Sequence, residues 1–141
     1  RFAVEIYPCA ALLGLYPEYM VRRRAAKYNP GNRKVFSRAD WNRVCELIGA
    51  TADELGIDGL SNWTRTAAGA DGLRKSDQDC LDATICVVIT VLWWRFGYER
   101  CITVGDLTTG YIVTPSHPAM TDQIRASAAI RDVPVRPLPL P

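Results

Sequence analysis

The run from Lys75 to Gly97, KSDQDCLDATICVVITVLWWRFG, constrains the chain more than any other stretch. From Ile85 to Phe96 its only charged side chain is Arg95, and a helix that is apolar on every side is normally buried in a core or against a sheet. Ser76 stands where an N-cap belongs and Asp79 follows three positions on, an imperfect capping box with Asp in place of Glu or Gln. Gly97 supplies the stop. The almost wholly apolar part, Cys86 to Trp94, is about half of the ~20 residues that a bilayer span needs, so a core helix is expected rather than a membrane one. Asp79 and Asp82 lie three apart and therefore share one face at the entrance to that core.

Upstream, Phe2 to Tyr7 alternates apolar and polar residues and reads as a short strand with Phe2, Val4 and Ile6 on one face. Pro8 ends it, which leaves Glu5 near the carboxyl end of a strand, the place where open α/β sheets build their sites. The chain begins at Arg1 on what already resembles the middle of a fold, so a fragment or processed piece of something longer is expected. A helical segment is expected over Cys9 to Leu15, closed by Tyr16-Pro17 because the residue before proline is pushed out of helical geometry. Arg22, Arg23, Arg24, Lys27, Arg33 and Lys34 follow, with no acid among them and a turn at Asn29-Pro30-Gly31-Asn32. Two readings stand: a solvated loop, or an arm that contacts phosphates.

Ser37-Arg38-Ala39-Asp40 opens a further helix whose buried stripe is Trp41, Val44, Cys45, Ile48 and Leu55. From Leu60 to Gly72 the residues are mostly small or polar, and a connecting loop anchored by Leu60 and Trp63 is expected. Cys101-Ile102-Thr103-Val104 and Tyr111-Ile112-Val113-Thr114 flank Gly105 to Gly110, the pattern of a hairpin with a glycine at each margin of its loop. His117 is the one histidine, and beside two prolines it reads as an exposed loop residue. Met120 to Ile130 suits a short amphipathic helix. Residues 133–141 alternate with proline, favour polyproline II and form a tail, leaving 1–132 as a single α/β domain.

A net charge of +2 is too small to favour one class of partner over another. Five cysteines without a CxxC pair suggest neither a disulfide framework nor a zinc site; free thiols in the cytoplasm are the simpler account. The chemistry therefore falls to carboxylates. Glu5, Asp79 and Asp82 offer the oxygen ligands that Mg²⁺ or Mn²⁺ wants, and a pair of such ions stabilises in-line displacement at phosphorus. Asp79 has an equally good structural reading, as a helix-capping acid that complements the dipole. For Asp82, in the second turn beside Leu81 and Ile85, burial demands a partner or an ion.

Val4-Glu5-Ile6-Tyr7-Pro8-Cys9-Ala10, then Asp79-Cys80-Leu81-Asp82-Ala83, then Gly105 to Pro115 with its glycine-marked hairpin, resemble in order the second half of a family of predicted nucleases in the ribonuclease H-like superfamily. That family reads E-V-Y-P-A-A, then D-x-x-D-A in a late helix, then a hairpin ending in proline. The resemblance implies an α/β fold, a mixed sheet with flanking helices, and metal-dependent phosphodiester hydrolysis. It implies Glu5 as the acid after the fourth strand and Asp82, with Asp79 as companion, as the acid of the last helix. The superfamily's leading aspartate sits on a first strand that has no counterpart before Glu5. A complete metal site is thus expected to need another segment or chain, and the missing strands imply an exposed edge along Phe2 to Tyr7 that favours homo-oligomer formation. The contrasting reading is a non-catalytic nucleic-acid-binding or scaffold module.

Overall fold

A computed structural model describes residues 4–21 and 24–136. In chain order its elements are β1 (Glu5–Ile6), α1 (Pro8–Leu15), α2 (Pro17–Val21), α3 (Arg38–Glu54), α4 (Leu60–Gly69), α5 (Lys75–Phe96), a 3-10 turn (Gly97–Glu99), β2 (Cys101–Asp106), β3 (Gly110–Pro115), α6 (Pro118–Ile130) and β4 (Val135–Arg136). They form two compact units, one drawn from Arg1–Arg24 and Ile89–Pro141, the other from Ala25–Val88. Helix α5 begins in the second and ends in the first.

The first unit carries a four-stranded mixed sheet in the order β1-β3-β2-β4. The expected hairpin is present: β2 and β3 pair antiparallel from Cys101↔Pro115 to Asp106↔Gly110. Its loop is held by Asp106, whose Oδ1 accepts from the backbone of Thr108 and Thr109, both at 2.7 Å. Gly105 has φ +106°, and a Cβ there would meet the Gly110 carbonyl oxygen at 2.2 Å, so no other residue fits without displacing the hairpin. β1 joins β3 in parallel, Glu5↔Ile112 and Ile6↔Val113, and is an edge strand as expected, though only two of its residues pair; Phe2 and Ala3 lie outside the described residues.

Helix α1 runs from Pro8, where a missing N–H costs nothing, to an extended Tyr16 at its C-cap. Gly14 lets α1 approach β3, since a Cβ there would lie 2.2 Å from the Pro115 carbonyl oxygen. The proline-rich end differs from the expected tail at its start. Val135 and Arg136 pair antiparallel with Val104 and Thr103, and the Gly105 N–H donates to the Pro134 carbonyl at 2.8 Å. An edge strand tolerates flanking prolines because only one side of it needs N–H groups. Residues 137–141 lie outside the described residues.

The second unit is helical. Trp41, Val44, Cys45, Ile48 and Leu55 form the buried stripe of α3, as their spacing predicts. The expected loop from Leu60 to Gly72 is instead mostly helix α4. Its small residues are what permit it: a Cβ on Gly49 of α3 would sit 2.5 Å from the Thr64 hydroxyl, so the two helices touch at near-backbone distance. The Trp41 indole N–H donates to the Ala67 carbonyl at 3.0 Å and the Arg38 guanidinium to the Ala68 carbonyl at 2.8 Å, which satisfies the end of α4. Thr64, not Trp63, is the buried anchor; Trp63 is partly exposed.

Two expectations for α5 are corrected. The helix starts at Lys75, so Ser76 lies inside it and is not the N-cap. The back half of the capping box is made two residues earlier, with the Arg74 N–H donating to Asp77 Oδ2 at 2.6 Å. Nor is α5 buried all round. Leu81, Ile85, Val88, Ile89 and Leu92 make one buried stripe at helical spacing, while Val87 and Trp94 are exposed, Trp94 by 79%. Taken through Glu99, this 25-residue rod is long and apolar enough to cross a membrane, with a stretch of mean hydropathy 1.5, where the sequence suggested too short a run. A core helix meets the same measure.

Candidate functional site

The basic arm and the acids of α5 meet within the second unit. Lys27 closes the base of the arm twice: its N–H donates to Asp40 Oδ2 at 2.8 Å, and its carbonyl accepts from the Ser37 N–H at 2.7 Å. Ser37 is the N-cap of α3, accepting from the Asp40 N–H at 3.2 Å, so helix cap and loop base are one hydrogen-bonded assembly. Residues 28–36 therefore form a closed loop. Asn29 turns it by accepting from the Gly31 N–H at 2.8 Å, and Phe36 N–H returns to the Asn32 carbonyl at 2.9 Å.

Tyr28 then fastens the loop to α5. Its ring is buried and its hydroxyl donates to Asp82 Oδ1 at 2.7 Å; the Gln78 side-chain amide donates to the other oxygen, Oδ2, at 3.0 Å. Both oxygens of Asp82 thus accept one hydrogen bond each. Its charge reaches Cys86 one turn on, whose thiol pKa is pushed up first by burial and further by that carboxylate. Gln78 Oε1 is left buried with no partner among the described residues. At the tip, a Cβ on Gly31 would lie 3.5 Å from Lys75 Cδ, which sets the turn against the first residue of α5.

The result is a cationic surface with an anionic fastening beneath it. Lys27, Arg33 and Lys34 are exposed with no carboxylate in ion-pair reach among the described residues. Arg74 and Lys75 extend that surface, although Lys75 also pairs with Asp79, an exposed i,i+4 bridge with little effect on stability. Arg24 is exposed and belongs to the other unit; Arg22 and Arg23 lie outside the described residues.

Of the three acids expected to bind metal, Asp79 and Asp82 fall in the second unit and Glu5 in the first, exposed on edge strand β1. Among the described residues no group of three or more His, Cys, Asp or Glu is gathered as a metal site. In the second unit Asp79 pairs with Lys75, and Asp82 accepts from Tyr28 and Gln78. Sequence reasoning missed Tyr28 and Gln78, and read Asp40 only as part of the Ser37 cap. The Gln78–Asp82 pair is legible as an i,i+4 spacing, whereas Tyr28 reaches Asp82 across 54 positions and leaves no local signal. His117 precedes α6 at its N-cap position, with Nδ1 buried and unpartnered among the described residues.

No family model matches the chain, and no curated protein or solved structure is similar to it.

Proposed function

We propose that this chain is a nucleic-acid-binding module that acts without catalysis, contacting phosphates through Lys27, Arg33 and Lys34 with Arg74 and Lys75 beside them. The observation that carries the reading is the loop 28–36, closed at Lys27 and fastened by Tyr28 to Asp82, because it presents cations on a preorganised frame instead of a solvated chain. Fixed cations release condensed counterions from the phosphate backbone on binding, the main source of sequence-independent affinity. Asp79 and Asp82, engaged by Lys75, Tyr28 and Gln78, serve that frame. Fluorescence anisotropy with labelled single- and double-stranded DNA and RNA at several salt concentrations tests it. Binding should weaken steeply with salt, and the triple variant Lys27→Gln, Arg33→Gln, Lys34→Gln should flatten the slope by about three phosphate contacts. Binding that ignores salt would sink the proposal.

The second reading is a Mg²⁺- or Mn²⁺-dependent nuclease of ribonuclease H-like fold. It draws support from Asp82, which accepts one hydrogen bond on each oxygen and keeps lone pairs for an ion, with Tyr28 and Gln78 orienting it as outer partners orient ligating carboxylates. In this reading Asp79 is its companion, and a partner chain across the β1 edge supplies the remaining ligands. Calorimetric titration of Mg²⁺ or Mn²⁺ into the chain and its Asp82→Asn variant separates the readings: saturable binding lost in the variant selects the nuclease. The cytoplasm is the proposed location, in keeping with five unbridged cysteines.

A further inference from the structure

The first unit contains a cavity of about 430 Å³, roofed by the α6 helix and floored by α1 and the sheet. Ala10 and Leu13 of α1, Val104 and Ile112 of the hairpin, and Met120 and Ile124 of α6 make its walls apolar. That volume lies within the ~300–1,000 Å³ range of small-molecule sites, which are typically apolar with a few placed polar groups. The polar groups are few here. Among the described residues Arg131 is the only ionisable side chain in the lining; it is exposed, and one of its nitrogens donates to the Ser127 carbonyl at 3.2 Å. Thr114, 1% exposed, also lines the cavity, and its hydroxyl is buried without a hydrogen-bond partner among the described residues. No acid among them faces this space.

The geometry points to a binding site for a small amphiphile with an apolar chain and a carboxylate head, the chain lying between α6 and the sheet and the head on Arg131. An apolar body matches the walls, and the Arg131 cation selects an anionic head over a neutral or cationic one. A planar carboxylate suits the fork of a guanidinium better than a hydroxyl does. This site is independent of the cationic surface in the other unit.

The test uses the full chain and decanoate below its micellar concentration, with decanol and decylamine as probes of equal chain length. Binding is followed by amide shifts in ¹H–¹⁵N spectra. Saturable decanoate binding, with shifts at Ile112, Thr114, Ile124 and Val133, is expected. Arg131→Gln, an exposed substitution that leaves the fold intact, should weaken it about tenfold, and decanol should bind the unaltered chain about as weakly as decanoate binds the variant. No saturable binding, equal affinity for decanoate and decanol, or shifts confined to other residues would overturn the assignment. So would retention on phosphatidylcholine vesicles without decanoate, which would make the same surface a bilayer contact.

Discussion

The two units solve the problem of a small core in opposite ways. The second is one continuous piece of chain, Ala25–Val88, and its contacts are made by neighbouring helices and a loop between them. The first is stitched from the two ends, and its parallel β1–β3 pair joins Ile6 to Val113. Closing so long a loop costs entropy that only the completed sheet offsets, whereas α3 and α4 meet across a short turn. The contiguous unit carries the cationic surface and the discontinuous one the apolar cavity, so each proposed activity rests on one kind of construction. Substitutions that act on one unit should therefore be separable from those that act on the other.

The largest expected effect is on the helical unit. Trp41 is fully buried and donates to the Ala67 carbonyl, so Trp41→Ala should destabilise it by about 3–5 kcal/mol, measured by urea unfolding followed by circular dichroism. The sheet has its own counterpart in Gly105→Ala, which forces a Cβ against the Gly110 carbonyl at positive φ. A loss of about 1–3 kcal/mol is expected, with hydrogen-exchange protection falling in β2 and β3 first. If both substitutions unfold all protected amides together, the two units are one cooperative body and the contrast between them fails.

Tyr28→Phe removes one hydrogen bond to a charged acceptor and should cost about 1.5–3 kcal/mol, together with weaker nucleic-acid binding, because the loop loses its fastening. Unchanged affinity would separate the loop's order from its function. Neutralising Lys27, Arg33 and Lys34 is the mirror experiment. Those side chains are exposed, so stability should stay within about 0.5 kcal/mol while salt-dependent binding collapses.

The pH response probes one thiol in each unit. Burial raises the Cys45 thiol to about 11 and the Cys101 thiol to about 12 from an ordinary 9.0. Their contribution to stability is fully present below 9.0, where folded and unfolded chains alike keep the proton. It is lost as pH climbs toward 11 for Cys45 and 12 for Cys101, because over that window only the unfolded chain releases protons. Each thiol adds a slope of about 1.4 kcal/mol per pH unit there. Urea unfolding at pH 8 and pH 10 reads the effect, and a flat profile would mean that neither thiol is desolvated. At pH 8, exposed Cys80 should react with iodoacetamide well before either of them.

Much of the local structure was legible. The α3 stripe, the Ser37 cap, the hairpin with Gly105 and Gly110, and the stop at Tyr16-Pro17 all follow from short-range rules, because caps, turns and periodic stripes are decided by residues within a few positions of one another. Helix α4 was missed for a physical reason. A run of Ser, Thr, Ala and Gly has no apolar stripe to announce a helix, and only the close approach of Gly49 to Thr64 rewards its smallness. The N-cap of α5 shifted by two residues because two acids, Asp77 and Asp79, could each close a box, and the backbone selected the first.

The candidate site divides along the same line. The sequence by itself determined which side chains carry charge, and that Asp82 would need a partner or an ion. Only the tertiary structure decided what that partner is, since the Tyr28–Asp82 hydrogen bond joins residues 54 positions apart and no local preference encodes it. It also decided that β1 stands beside β3 and that Val135 and Arg136 add a strand where the prolines suggested a polyproline II tail. Short-range chemistry selects conformations one turn at a time, whereas the long-range partners are chosen by the burial and hydrogen-bond satisfaction of the whole unit at once.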